Sequence, residues 1–246
     1  MWSTIVSIDK RYQREFAYIT GEISKSKYSS YAVEESRYRY YIHIVAEDEY
    51  GARISGDVVK LITDVILVYF KAEHIKRRLL ENRGGGEISD AMAILISALI
   101  YFDVGIESGM LEGMIEPSEE YSIDGLFTFR TAELTSNWNE LCALSGSLLS
   151  MNPSEHDILN LTSFLIDASN AKKNKISVGG CGDDPLIFNV STNEKIFIHD
   201  IFSNGRQNLL NAIISCYPEE IYAEDKLPCG IVGSLQKITK VSTANA

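Results

Sequence analysis

The sequence is poor in the residues that build stapled, metal-bound or nucleic-acid-binding proteins. Its 246 residues hold only 4 cysteines, 4 histidines and 5 prolines. Cys142, Cys181, Cys216 and Cys229 lie far apart and no two form a C-x-x-C pair, which excludes a dense disulfide framework and fits reduced thiols in a cytosol. Basic charge is short as well: 23 Lys and Arg stand against 34 Asp and Glu, for a net charge of −11. A protein that neutralises phosphates needs a basic face, so nucleic acid is excluded as a partner.

Long apolar runs are also missing. The most apolar window, Ala91 to Phe102 (AMAILISALIYF), is too short for a bilayer, which needs about 20 residues, and suits a buried helix. No membrane span is expected. The opening MWSTIVSIDKRYQREF lacks the charged-then-apolar order of a signal peptide, so a cytoplasmic location is the expectation. Asn160 and Asn189 match the glycosylation pattern, which carries no meaning without secretion. The serine-hydrolase motif G-x-S-x-G is absent. Gly84 to Gly86 lacks the lysine of a phosphate loop and follows a helix, so it reads as a hinge. No cofactor is called for by any motif.

What is present describes a globular chain, with 45% hydrophobic and 23% charged residues. The stretch from Gly56 to Glu81 organises it. Val58, Leu61, Val65, Val68, Ala72, Ile75 and Leu79 recur at spacings of three and four, which predicts a long helix with one buried face, opened by Asp57 and closed by Lys76 to Arg78. Before it, Thr4 to Ile8 reads as a strand, Lys10 to Ser24 as a helix, and the tyrosine-rich Tyr31 to Val45 as one or two strands. After it come helices over Glu87 to Phe102 and Asp103 to Met114, a loop over Pro117 to Ser122, and helices over Ile123 to Ser150 and from Ser154 onward.

At Lys175 the apolar period switches to two. Strands at 176–178, 186–190, 196–198 and 221–223, helices at 208–216 and 231–238, and a last short strand at Lys240 and Val241 follow. The fold class read from this order is α+β: a small N-terminal αβ segment over 1–50, a central helical bundle over 51–173, and a C-terminal α+β region over 174–246 with a short mixed sheet.

Candidate chemistry is thin. His156-Asp157 and His199-Asp200 are dyads of the kind that hold a hydrolytic metal, but such a site needs further ligands converging on a bundle interior, and only His74 is at hand. Asp157 also suits the first turn of a helix, where a carboxylate complements the dipole. Gly179 to Pro185 holds two carboxylates, short of a calcium ligand set, and reads as a turn. No metal ligand and no catalytic residue is assigned. Glu73, beside the apolar stripe, and Arg130, after Phe127 and Phe129, are charges in apolar surroundings. Such charges should be paired, which makes a Glu73–Arg130 contact a structural expectation first.

Two stretches, LVYFKAEHI and IDGLFTFRTAEL, resemble motifs of the YtxC-like sporulation protein family. Tyr69, Phe70, Glu73 and Ile75 match the first; Gly125, Phe129 and Arg130 match the second, with Leu126 where the family tends to have phenylalanine. The run NLLNAIISCYPEEIYAED resembles the family's helix, proline and strand order, and the likeness covers roughly residues 55 to 241. Family members often end in a cysteine cluster, whereas this chain ends KITKVSTANA. The resemblance implies a cytoplasmic, sporulation-associated protein of endospore-forming bacteria with no established enzymatic activity. It marks Glu73, Arg130, Tyr69 and Phe129 as candidate binding residues and predicts a contact of Tyr69, Phe70 and Glu73 with the segment Phe127 to Arg130. The function expected is non-enzymatic, through contacts with a protein partner of unknown identity. A metal-dependent phosphohydrolase using His156, Asp157 and His74, and a small-ligand binder in the C-terminal region, are the alternatives. The oligomeric state is open.

Overall fold

The computed structural model describes residues 1–246 apart from 83–86, 150, 152, 170, 180–184, 224–230 and 244–246. The triple glycine, the acidic turn after Gly179, Cys181 and Cys229 lie outside the described residues. The fold is mixed α+β, and the chain divides into two compact units, 1–71 with 105–137 and 72–104 with 138–246. These units cut across the three regions read from the sequence.

The first unit is built on a four-stranded sheet of order β2-β3-β1-β4: β1 Trp2–Asp9, β2 Ser29–Glu35, β3 Arg39–Ala46 and β4 Glu120–Ser122. β1 and β2 each run antiparallel to β3, with Val6 opposite Ile42 and Val33 opposite the same residue. β4 runs parallel to β1, and it falls in the stretch expected to be a loop. Three residues are too few to show a period, so only the partner strand reveals it: Ile5 N donates to Glu119 O at 2.9 Å and Ser7 Oγ to Tyr121 O at 3.2 Å. Ile42, Ile44, Val6 and Ile8 alternate onto one face and are buried, as are Ile19 and Ile23 of α1 Gln13–Ile23.

The organising helix begins earlier than expected, at Asp48. Glu47, Asp48 and Glu49 supply the negative charge at its start, and Asp57 lies mid-helix. Helix α2 spans Asp48–Asp64 and buries Ile54, Val58, Leu61 and Ile62. Gly51 lies inside it because a Cβ there would stand 3.0 Å from the Trp2 side chain of β1. The next six residues, Val65–Phe70, form a π-helical segment buried on every side, and α3 Lys71–Asn82 follows. A single buried face therefore describes α2 and α3 but not VILVYF, which has no polar residue to show solvent. Tyr69 packs on Tyr18 of α1, ring centroids 5.5 Å apart, and Phe70 packs between Tyr12 (4.7 Å) and Phe127 (4.9 Å).

Helix α5 Val104–Met114 leads to β4, and the stretch 123–150 divides into α6 Ile123–Arg130 and α7 Ala132–Leu149. Thr131 interrupts it: its φ and ψ of −102° and 22° leave the helical region, and its hydroxyl donates to Phe127 O.

In the second unit α4 Asp90–Tyr101 is buried from Ala91 to Tyr101, capped by Ser89, whose Oγ accepts from Met92 N. It packs against α8 Glu155–Ala168 and α9 Gly205–Ser215. The sheet is mixed, of order β7-β6-β5-β8-β9, with β5 Asn174–Gly179, β6 Leu186–Asn189, β7 Lys195–Ile196, β8 Pro218–Ala223 and β9 Lys240–Thr243. β5, β8 and β9 run parallel; β6 and β7 add antiparallel. A short helix, α10 Ile231–Leu235, precedes β9. Buried Asn208 holds the loop before α9, since its Oδ1 accepts from Ile201 N (3.0 Å) and Phe202 N (2.6 Å).

Candidate functional site

The residues marked by sequence fall into different environments. Tyr69 is 6% exposed and belongs to the core. Phe70 meets Phe127 as expected, edge to face, so the predicted approach of the two motifs holds at the aromatic rings. The charged part of that expectation does not hold as a buried pair. Glu73 has a side chain 74% exposed and pairs with Lys76 one turn on, at 2.9 Å, and Arg130 is exposed as well. Neither charge is desolvated, so neither requires the other.

Phe129 is the outlier, an aromatic ring 82% exposed on an ordered helix. It lines, with Leu126 and Arg130 of α6, a surface pocket of about 380 Å³ completed by Met114, Pro117 and Tyr121 and edged by Glu116 and Glu120. The pocket wall is fixed locally: Tyr121 Oη accepts from Ser118 N at 2.9 Å, and the Ser122 side chain caps α6 by accepting from Gly125 N.

Behind α6 lies a polar cluster that nothing in the sequence announced. Arg39 of β3 makes a two-pronged contact with Asp124 in the first turn of α6, Nη2 to Oδ1 at 2.7 Å and Nη1 to Oδ2 at 3.0 Å, and also donates to Ser122 Oγ at 2.9 Å. Burial alone would raise the Asp124 carboxyl, but the Arg39 hydrogen bonds and charge hold it below the usual carboxylate range. The pair positions α6, and with it Phe129 and Arg130, on the sheet.

Lys71 and Glu107 form a second hidden pair. Their side chains are 1% and 8% exposed and their charged atoms are 2.5 Å apart. A local signal existed here, because Leu67, Lys71 and Ile75 are four residues apart and both neighbours are buried, as is Leu111 four residues after Glu107.

A cleft of about 530 Å³ opens between α1, the start of β2 and α2, floored by Ile23, Ile44, Ile54 and Leu61 and edged by Lys27, Arg53, Lys60 and Asp64. Surrounding protein, then the charges of Glu112 and Glu22, push the Asp64 carboxyl up to about 6 although it reaches solvent. With its folded pKa above the unfolded value of about 3.9, the Asp64 charge costs stability as pH rises from about 4 to 6. Asp64→Asn is therefore expected to be the more stable form at pH 7, by less than about 1 kcal/mol because water screens the site, and to match the parent below pH ~4. Urea titrations at the two pH values check this; a variant less stable at pH 7 would contradict it.

The histidines do not assemble. His74 is buried with its Nε2 3.0 Å from Asn139 Oδ1 and its ring against Trp138; burial, opposed by that hydrogen bond, lowers its pKa. Asp157 caps its own helix, accepting from Ser154 N at 3.0 Å, and His156 beside it is exposed. Burial lowers His199 to about 4. Among the described residues no three His, Cys, Asp or Glu side chains form a group able to hold a metal ion. Cys142 is buried, and burial pushes the Cys216 thiol up to about 11, far from a nucleophile's range. No single helix among the described residues is long and apolar enough to cross a membrane.

Compared with protein-family models, curated proteins and solved structures, the chain gives no match. The resemblance to the YtxC-like family accordingly rests on the quoted residues alone.

Proposed function

We propose that this is a non-enzymatic protein of endospore-forming cells, cytoplasmic, that acts by docking a partner protein on the α6 face. The observation that carries the reading is Phe129, 82% exposed beside Arg130 at the edge of a pocket of mixed polar and apolar lining. Aromatic and arginine side chains side by side at a pocket are the composition of interface anchors. The sporulation setting is supported by the YtxC-like motifs. Phe129→Ala is expected to leave folding stability within about 0.5 kcal/mol, as for an exposed position, while abolishing co-purification of the partner from sporulating cells. A parent protein that retains no specific partner, or a variant that retains it undiminished, would remove the support.

One observation favours a second reading, a small-ligand binder, placed in the first unit rather than in the C-terminal region expected from sequence. It is the 530 Å³ cleft beside Asp64, whose apolar floor and charged rim suit an amphiphilic small molecule.

A further inference from the structure

β2 is an edge strand, exposed at every residue from Ser30 to Glu35, and its register with β3 is unbroken from Ser29 to Glu35. It carries neither a proline nor a bulge to blunt the edge, and its charges, Glu34 and Glu35, are confined to the hairpin end. The hairpin fixes which backbone groups face outward. Ser36 N donates to Arg39 O at 2.9 Å, so these residues are a hydrogen-bonded pair. Alternation along an antiparallel ladder then turns Glu34, Ala32 and Ser30 toward β3 and leaves the N–H and C=O groups of Ser29, Tyr31, Val33 and Glu35 pointing off the sheet. On the same residues Tyr31 (40% exposed) and Val33 (42%) present apolar side chains at the rim.

We infer that this edge pairs with the same edge of a second copy of the chain, antiparallel across a two-fold axis at Tyr31, joining two four-stranded sheets into one. The inference goes beyond the α6 docking face and does not depend on it. Charge argues for a second copy as the occupant, since the edge carries a cation and a carboxylate at positions that a two-fold brings together. With Tyr31 opposite Tyr31, Ser29 faces Val33 and Glu35 comes opposite Lys27 in the bend just before β2, each twice by symmetry, and the outward-facing backbone groups of Ser29, Tyr31 and Val33 find partners. A shift of two residues toward the hairpin sets Lys27 against Arg37 instead. The Lys27 side chain has no ion pair among the described residues, and Glu35, held by Lys10 at 2.8 Å, is still 60% exposed and open to a second cation. A self-complementary edge of this kind gives a closed dimer, because the two-fold uses up both edges.

Sedimentation equilibrium of the whole protein tests it. The parent is expected to sediment as a dimer. Val33→Pro removes an outward N–H without touching the β3 ladder, so it should sediment as a monomer with unchanged circular dichroism. Lys27→Glu should weaken the dimer at least tenfold, and Lys27→Glu combined with Glu35→Lys should restore it, since the reversed charges still meet. The restoration keeps the test sound even if the proline variant folds poorly. A parent that stays monomeric, a Val33→Pro protein that folds and remains dimeric, or a double variant no better than Lys27→Glu would overturn the proposal.

Discussion

Replacing Glu107 by alanine is expected to lower the stability of the protein by about 3–5 kcal/mol, because it leaves the Lys71 ammonium in a site that excludes water. Lys71 is 1% exposed and follows directly on the fully buried π-helical segment, so the stranded charge has no easy route to solvent. Taking both charges away is a different matter. Lys71→Met with Glu107→Leu exchanges a desolvated pair for apolar groups of similar volume, and the double variant should recover most of the loss or exceed the parent. Urea denaturation of the parent, the single and the double variant forms a cycle that separates the two cases. A Glu107→Ala protein within 1 kcal/mol of the parent would mean that the pair is not desolvated as its burial indicates.

Loss of the Arg39–Asp124 contact should be the next largest effect. Asp124→Asn keeps the shape but cannot accept two charge-assisted hydrogen bonds, and a cost of about 2–3 kcal/mol at pH 7 is expected from bonds of this class. Arg39→Lys should cost a comparable amount, since an ammonium cannot fork across the carboxylate and reach Ser122 as well. The pH dependence has a definite sign. The folded-state pKa of Asp124 is depressed, so its contribution is fully present above the unfolded value of about 3.9 and is lost as pH falls through the folded value. The gap between parent and Asp124→Asn should therefore hold constant from pH 7 to about 5 and close below about 4. Denaturation midpoints across that range read it directly; a gap that widens on acidification would rule out the charged pair as its source.

Much of the secondary structure was legible because periodicity is a local property. α4 was read as a buried helix from its apolar composition, and it is buried from Ala91 to Tyr101. The change of period at Lys175 marked the start of the C-terminal strands, with β5 beginning at Asn174. Errors arose where a local pattern admitted two solutions. Asp57 looked like a helix start only because the apolar stripe strengthens there; the chain is already helical from Asp48, through a polar first turn that buries little. Glu73 lies next to buried positions on its helix, yet a rotation of one residue is enough to put it in water beside Lys76.

The candidate site was legible in part. Phe129 and Arg130 were named from a motif, but whether they faced the core or solvent depends on how α6 is set on the sheet. That setting is made by Arg39 and Asp124, 85 positions apart in the chain. No spacing rule connects such residues.

By itself the sequence determined the α+β class, the organising helix and the scarcity of cysteine and histidine, because composition and apolar period act within a few turns of chain. The tertiary structure alone decided that β4 completes a sheet begun at Trp2, that Lys71 finds Glu107, that Asp64 edges a cleft and that Phe129 meets water. Those outcomes depend on which distant surfaces exclude solvent together, and a carboxylate, a lysine or an aromatic ring takes its energy from that surrounding rather than from its neighbours in the chain.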